Sequence, residues 1–132
     1  ASGCVDILMH TMERYFTKAE NTMLTDSVAE GLMRTVIYNA KVLAEDPENY
    51  DARAQVMWAG SLSHNGLTGC GTEGDWASHQ LEHELGGMFD VAHGAGLAAV
   101  WGSWARYVYK EKPARFAQFA ANVFNIPWNS SN

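Results

Sequence analysis

The chain of 132 residues is poor in cysteine and proline and contains no long apolar run. Its two cysteines, Cys4 and Cys70, are too few for a disulfide framework, and the sequence has no Cys-x-x-Cys motif. No stretch approaches the roughly 20 apolar residues of a membrane-spanning helix. The first residues also lack the basic start and apolar segment of a signal peptide. We therefore expect reduced thiols, a cytoplasmic location and no membrane partner.

Positive charge is scarce as well. Lysine and arginine number 9 against 15 aspartates and glutamates, which gives a net charge of -6 and a pI near 5.2. Proteins that bind nucleic acids or anionic membranes carry a basic patch, so this composition disfavours both kinds of partner. The hydrophobic fraction of 47% and the length fit one soluble globular domain with a real core.

What the sequence does contain is a series of helical patterns separated by glycine and proline. Apolar residues recur at helical spacing, and no segment shows convincing strand alternation. Ser27 and Glu30 are spaced as a capping box that would open the second helix. Gly86-Gly87 is expected to end the fourth helix, and Pro113 to open the sixth. The predicted fold class is all-α, a multi-helix array, with the tryptophans in its core: Trp58, Trp76, Trp101 and Trp104.

Two residue pairs could together bind a metal ion. Asp6 and His10 are one helical turn apart and would share a helix face. His79 and His93 would lie roughly 21 Å apart on a straight helix, so the chain must turn back between them, and we expect the turn at Gly86-Gly87. One carboxylate and three imidazoles suit Fe²⁺ or Zn²⁺ and can leave a coordination position open for a substrate.

Taken singly, these residues have ordinary structural explanations. A lone Asp6 is more often an exposed or capping carboxylate, and a lone His10 on an apolar helix face is more often a packed core histidine. The pattern Asp-x-x-x-His is a weak signal on its own. The stretch from residue 75 to residue 97 is more specific, because it combines histidines and glycines in one characteristic string.

Several strings together carry a resemblance to a known family. They are DWASHQLEHE (residues 75–84), DVAHGAGL (90–97), DPENYDAR (46–53) and NGL (65–67), together with Asp6-x-x-x-His10. The chain resembles the metal-binding half of the iron-containing (group III) alcohol dehydrogenases, in their butanol-dehydrogenase-like branch. The resemblance covers essentially all 132 residues. It implies that residues 1–132 form the helical metal-binding domain of a two-domain dehydrogenase whose cofactor-binding domain is absent here.

The resemblance also implies roles for individual residues. Asp6, His10, His79 and His93 would be the metal ligands, with Fe²⁺ or Zn²⁺ as the ion. His83 would lie near the nicotinamide and the substrate as a catalytic and cofactor-contacting residue that helps to move a proton; the alternative is a histidine that supports a metal ligand or packs in the core. Glu82 and Glu84 are expected to be solvated charges, although either could orient a ligand imidazole. His64, just before Asn65-Gly66, is expected to be a surface histidine at a helix end.

The implied activity is interconversion of a small alcohol and an aldehyde with NAD(P), with this chain supplying the metal and substrate half. Because no Gly-rich phosphate loop follows a strand, the fragment alone should be inactive. We also expect a homo-oligomer.

Two other classes of function stay open. A metal-dependent hydrolase could use the same ligands, but its helical His-Glu-x-x-His signature is absent. A non-catalytic helical interaction module would leave the four ligands unexplained.

Overall fold

The computed structural model describes residues 2–127, and their regular structure is entirely helical. The fold class predicted from the sequence is therefore confirmed. The helices are α1 (Ser2–Tyr15), α2 (Met23–Glu45), α3 (Tyr50–His64), α4 (Ala77–Phe89), α5 (His93–Val108) and α6 (Pro113–Phe124). Single 3₁₀ turns follow α3 at Leu67–Gly69 and α5 at Tyr109–Glu111. No helix of the described part of the chain is long and apolar enough to span a membrane.

Helix α1 lies at the centre of the array, where it packs against α2, α3 and α5. Its apolar residues reach two cores. Met9, Met12 and Tyr15 join the larger core between α2, α5 and α6, whereas Ile7 belongs to a smaller core with α2 and α3. A helix enclosed on several sides is held by tertiary packing rather than by its own propensity. The remaining face of α1 is polar, and it carries the candidate site.

The predicted start of α2 is wrong. The helix begins at Met23, so Ser27 lies inside it and donates a hydrogen bond back to the Met23 carbonyl (2.9 Å) instead of capping the first turn. Glu30 is buried and accepts hydrogen bonds from Tyr15 Oη and from α6. The capping-box pattern therefore failed because Ser27 bonds within its own helix and Glu30 is taken up by tertiary contacts.

The predicted break of α4 at Gly86-Gly87 is also wrong, since the helix continues to Phe89. A glycine inside a helix costs only about 1 kcal/mol relative to alanine, which packing against α5 outweighs. The chain turns at Asp90, which has a left-handed backbone conformation (φ 53°). His93 is then the first residue of α5, as expected. Gly96 allows α5 to approach α4 closely, since a Cβ atom at this position would lie 2.7 Å from Glu82 Cγ.

The tryptophans are not all buried as predicted. Trp101 and Trp104 pack against the larger core, but Trp58 is 63% exposed on the outer face of α3. Met57 beside it is exposed too. Neighbouring apolar side chains on an outer face often mark a contact surface. In the sequence, the helical spacing of such residues looks the same as that of residues facing the core.

Candidate metal centre

The polar face of α1 presents Asp6, His10 and Glu13 at i, i+4 and i+7, so successive turns direct these side chains to the same side. α4 and α5 lie against this face at their N-terminal ends, where they contribute His79 and His93. Three helices thus position the side chains that the sequence pairs suggested. Helical elements fix such side chains more firmly than loops do.

Asp6 is the point at which the histidines meet. Its Oδ1 atom lies 3.2 Å from His93 Nε2, 3.7 Å from His79 Nε2 and 3.7 Å from His10 Nε2. Asp6, His79 and His93 can offer ligand atoms that all lie within 4.8 Å of one another. With bonds of about 2.0–2.2 Å, neighbouring ligand atoms on a tetrahedral ion are about 3.4 Å apart. The spacings of Asp6, His79 and His93 therefore match those of a metal ligand set, whereas His10 groups with Asp6 and His64.

Two buried carboxylates orient the rings of His79 and His93. Glu13, which is 1% exposed, bonds to Nδ1 of His79 and also accepts from the backbone N–H of His79 (3.2 Å). Glu82, which is 2% exposed, bonds to Nδ1 of His93. Each bond places the ring proton on Nδ1 and leaves the Nε2 lone pair directed at Asp6, as in carboxylate–histidine–metal arrangements. The expectation that Glu82 is a solvated charge is thus wrong.

Unpaired polar atoms provide an independent test of whether a cation fits. Asp6 Oδ1 and His79 Nε2 are buried and have no hydrogen-bond partner among the described residues. Buried polar atoms without partners are rare, because each costs about 1–3 kcal/mol. Here a carboxylate oxygen and an imidazole lone pair face each other, and a divalent cation between them would satisfy both. The donor set, oxygen and nitrogen without thiolate, suits Fe²⁺ or Zn²⁺.

His10 is held in the neutral form that a ligand requires. Burial lowers the pKa of His10 to about 4, and the nearby His64 and His79 rings act in the same direction while Asp6 opposes them. Near pH 7 the ring therefore has a free lone pair. Trp76 packs edge-on against both His10 and His79, with ring centroids 5.5 and 5.4 Å apart respectively, and lines this side of the site.

His83 lies on the open side of the centre. It is exposed and stacks on the His93 ring, with centroids 5.6 Å apart and an interplanar angle of 24°. The His93 side chain is itself 40% exposed, so the site opens to the surroundings here. A histidine beside a ligand on the open side can exchange protons with a bound substrate, which is compatible with the role expected for His83.

Two residues of the site escaped the sequence reasoning. Glu13 could have been found, since it shares the α1 face with Asp6 and His10. His64 is the last residue of α3 and is exposed, as expected, yet its Nε2 atom lies 3.4 Å from Asp6 Oδ2. No sequence signal links residues 58 positions apart on different helices; only the packing of α3 against α1 brings them together.

Comparison with known proteins shows the family to which the chain belongs. Residues 1–132 match the C-terminal domain of the Fe-containing alcohol dehydrogenase family. The chain belongs to this family. Among Fe-containing alcohol dehydrogenases, it is 40% identical over 124 residues to the probable NADH-dependent butanol dehydrogenase 1 of Bacillus subtilis, covering 94% of this chain and 32% of that protein. It is also 40% identical over 132 residues to the NADPH-dependent aldehyde reductase YqhD of Escherichia coli, covering 100% of this chain and 34% of the reductase.

Solved structures of the family share the fold. The NADH-dependent butanol dehydrogenase A of Thermotoga maritima superposes with a TM-score of 0.94 at 38% identity, covering 98% of this chain and 32% of that one. The family resemblance seen in the sequence is therefore confirmed. The chain spans about a third of the length of the curated relatives it matches.

Proposed function

We propose that this chain is the metal- and substrate-binding half of an NAD(P)-dependent alcohol dehydrogenase or aldehyde reductase, with Asp6, His10, His79 and His93 holding one Fe²⁺ or Zn²⁺. The observation that carries the proposal is the ring of imidazole Nε2 atoms around Asp6 Oδ1, at 3.2–3.7 Å. Relatives named as butanol dehydrogenases and as an aldehyde reductase support the reaction class.

A divalent cation in this position would act as a Lewis acid on the oxygen of an alcohol or aldehyde. The side chains do the positioning. Glu13 and Glu82 fix the rings of His79 and His93, and the partial exposure of His93 gives a small substrate access from the side of His83. His83 would relay the alcohol proton between this side of the site and solvent. Hydride would pass to or from a nicotinamide bound by a second domain, so the chain alone should not turn over.

The substrate class follows from the two kinds of wall around the site. Trp76 offers an apolar surface beside His10 and His79, whereas the open side carries the stacked rings of His83 and His93. A short alcohol or aldehyde with one oxygen and an alkyl tail suits this arrangement, and butanol and butanal are the probes we would use. Self-association through the exposed α3 face around Trp58 is part of the same proposal. A cytoplasmic location stays a prediction.

The test uses the whole protein in which this chain is joined to a cofactor-binding domain. NAD(P)H oxidation with butanal should require added Fe²⁺ or Zn²⁺ and should fall below detection in His79→Ala and in His93→Ala. Glu84→Gln changes an exposed charge on α4 and is the matched control, which should keep wild-type turnover. Full activity after metal removal, or in either histidine variant, would contradict the proposal.

A further inference from the structure

A fourth imidazole faces Asp6 from a different helix. His64, at the C-terminal end of α3, directs Nε2 at Asp6 Oδ2 across 3.4 Å, while the other three histidines surround Oδ1. Its ring lies against His10, with centroids 3.9 Å apart. Asp6, His10 and His64 can offer ligand atoms within 4.8 Å of one another. Both oxygens of the carboxylate are therefore turned towards imidazole nitrogens.

Hydrogen-bond partners at the far side of the ring suit the tautomer that a metal ligand needs. His64 Nδ1 lies 3.0 Å from the Gly60 carbonyl and 2.7 Å from Ser63 Oγ. A carbonyl oxygen can accept from both the Ser63 hydroxyl and a protonated Nδ1, so these contacts accommodate the tautomer that has its proton on Nδ1. The neutral ring then presents a lone pair to Asp6 Oδ2. A divalent cation between Nε2 and Oδ2 would satisfy both acceptors at this distance. His64 thus has an acceptor for an Nδ1 proton, as His79 and His93 do, although here it is the Gly60 carbonyl rather than a carboxylate.

The end of α3 is also fastened to the helix that carries Asp6. Arg14 on α1 donates to the Ser63 carbonyl (2.5 Å), one residue before His64, and its guanidinium lies over the Trp76 ring at 5.3 Å from the centroid. Ser63 itself is fully buried. The backbone beside His64 is therefore held by the Arg14 hydrogen bond between α1 and α3, although the His64 side chain is partly exposed.

We propose that His64 is a fifth ligand of the divalent cation held at Asp6, binding through Nε2 beside His10. This inference rests on the proposed metal centre. The separation of 3.4 Å from Asp6 Oδ2 equals the spacing of about 3.4 Å expected between neighbouring ligands with bonds of about 2.0–2.2 Å. The chain would then bind its ion with one carboxylate and four imidazoles, and the added donor would strengthen retention of the ion.

The experiment uses Co²⁺ as the probe, added to the 132-residue chain, because its visible absorption distinguishes four-coordinate from five-coordinate sites. The wild type should bind one Co²⁺ per chain with the weak bands of a five-coordinate ion. His64→Leu should shift to the stronger bands of a four-coordinate ion and lose at least about tenfold in affinity, the lower end of what loss of a supporting hydrogen bond costs a metal site. Glu84→Gln, which removes an exposed charge of α4 outside the ligand set, should change neither property.

Each other outcome is informative. A wild-type chain that binds no Co²⁺, or binds it equally well in His79→Ala, would contradict the metal centre itself. Co²⁺ binding that is lost in His79→Ala but is the same in His64→Leu as in the wild type would overturn only the role of His64. His64 and Asp6 would then share a proton in a hydrogen bond. Two Co²⁺ per chain would also overturn it, since His64 would belong to a separate ion. Should His64→Leu not fold, His64→Gln and the number of light donor atoms seen by X-ray absorption of the wild type decide the question.

Discussion

Replacing Glu13 by glutamine tests how the site orients its ligands. Glu13 is buried and receives two donors from His79, the ring Nδ1–H and the backbone N–H at 3.2 Å. Glutamine has only one acceptor oxygen, so its NH₂ group must face one of these donors. The variant thus loses one hydrogen bond, the negative charge beside the ring, and part of the fixed orientation of Nε2. Such losses next to a metal ligand typically weaken binding 10–100-fold, about 1.4–2.8 kcal/mol.

The assay is Zn²⁺ binding at pH 7 in competition with a chromophoric chelator, with the helix content of each variant checked by circular dichroism. Glu84→Gln on α4 is the control, because it removes the same charge from an exposed position and should bind Zn²⁺ as the wild type does. A Glu13→Gln chain that is folded and binds Zn²⁺ within twofold of the wild type would refute the reasoning. The carboxylate would then be a packing feature without influence on His79.

Three further predictions concern other parts of the chain. Glu82→Gln should weaken Zn²⁺ binding about tenfold or more, because Glu82 orients His93; unchanged binding would separate His93 from the ion. Asp26→Asn should destabilise the fold by about 3–5 kcal/mol in urea unfolding, since it leaves the buried Arg115 guanidinium without its partner. Burial raises the pKa of Asp26, but the hydrogen bonds and the charge of Arg115 outweigh burial and hold this pKa below 3.8. The stability that the ionised Asp26 contributes is therefore present above pH 3.8 and is lost as the pH falls through the folded-state pKa. An equally steep loss of stability in acid for Asp26→Asn would contradict this origin. Trp58→Lys should reduce self-association in sedimentation experiments, whereas a wild-type chain that is monomeric at high concentration would exclude the α3 face as a contact surface.

The sequence predicted the helices better than it predicted their junctions. Apolar periodicity correctly indicated all six helices, and α3 and α6 begin where Tyr50 and Pro113 suggested. The errors lie at Ser27, which the earlier start of α2 places inside the helix, and at Gly86-Gly87, where α4 packs against α5 and continues. A capping pattern or a single helical glycine carries about 1 kcal/mol, which packing against neighbouring helices readily exceeds.

In the candidate site too, the sequence predicted some residues and missed those whose position depends on packing between helices. The four residues Asp6, His10, His79 and His93 could be proposed from spacing and family strings, and the structure brings them together around one carboxylate oxygen. His64 could not be found in this way, because its approach to Asp6 depends on how α3 packs against α1. Buried partners of ligands, such as Glu82, look like ordinary surface charges until their burial is known.

The central claim is that one divalent cation is held by Asp6, His10, His79 and His93, and the most direct measurement is anomalous X-ray diffraction from crystals of the chain loaded with Zn²⁺. The account predicts one strong anomalous peak among these side chains, with a carboxylate oxygen of Asp6 and a nitrogen of each histidine at about 2.0–2.2 Å from it. A peak bound elsewhere, or no ordered zinc between Asp6 and the three histidines at saturating concentration, would contradict it.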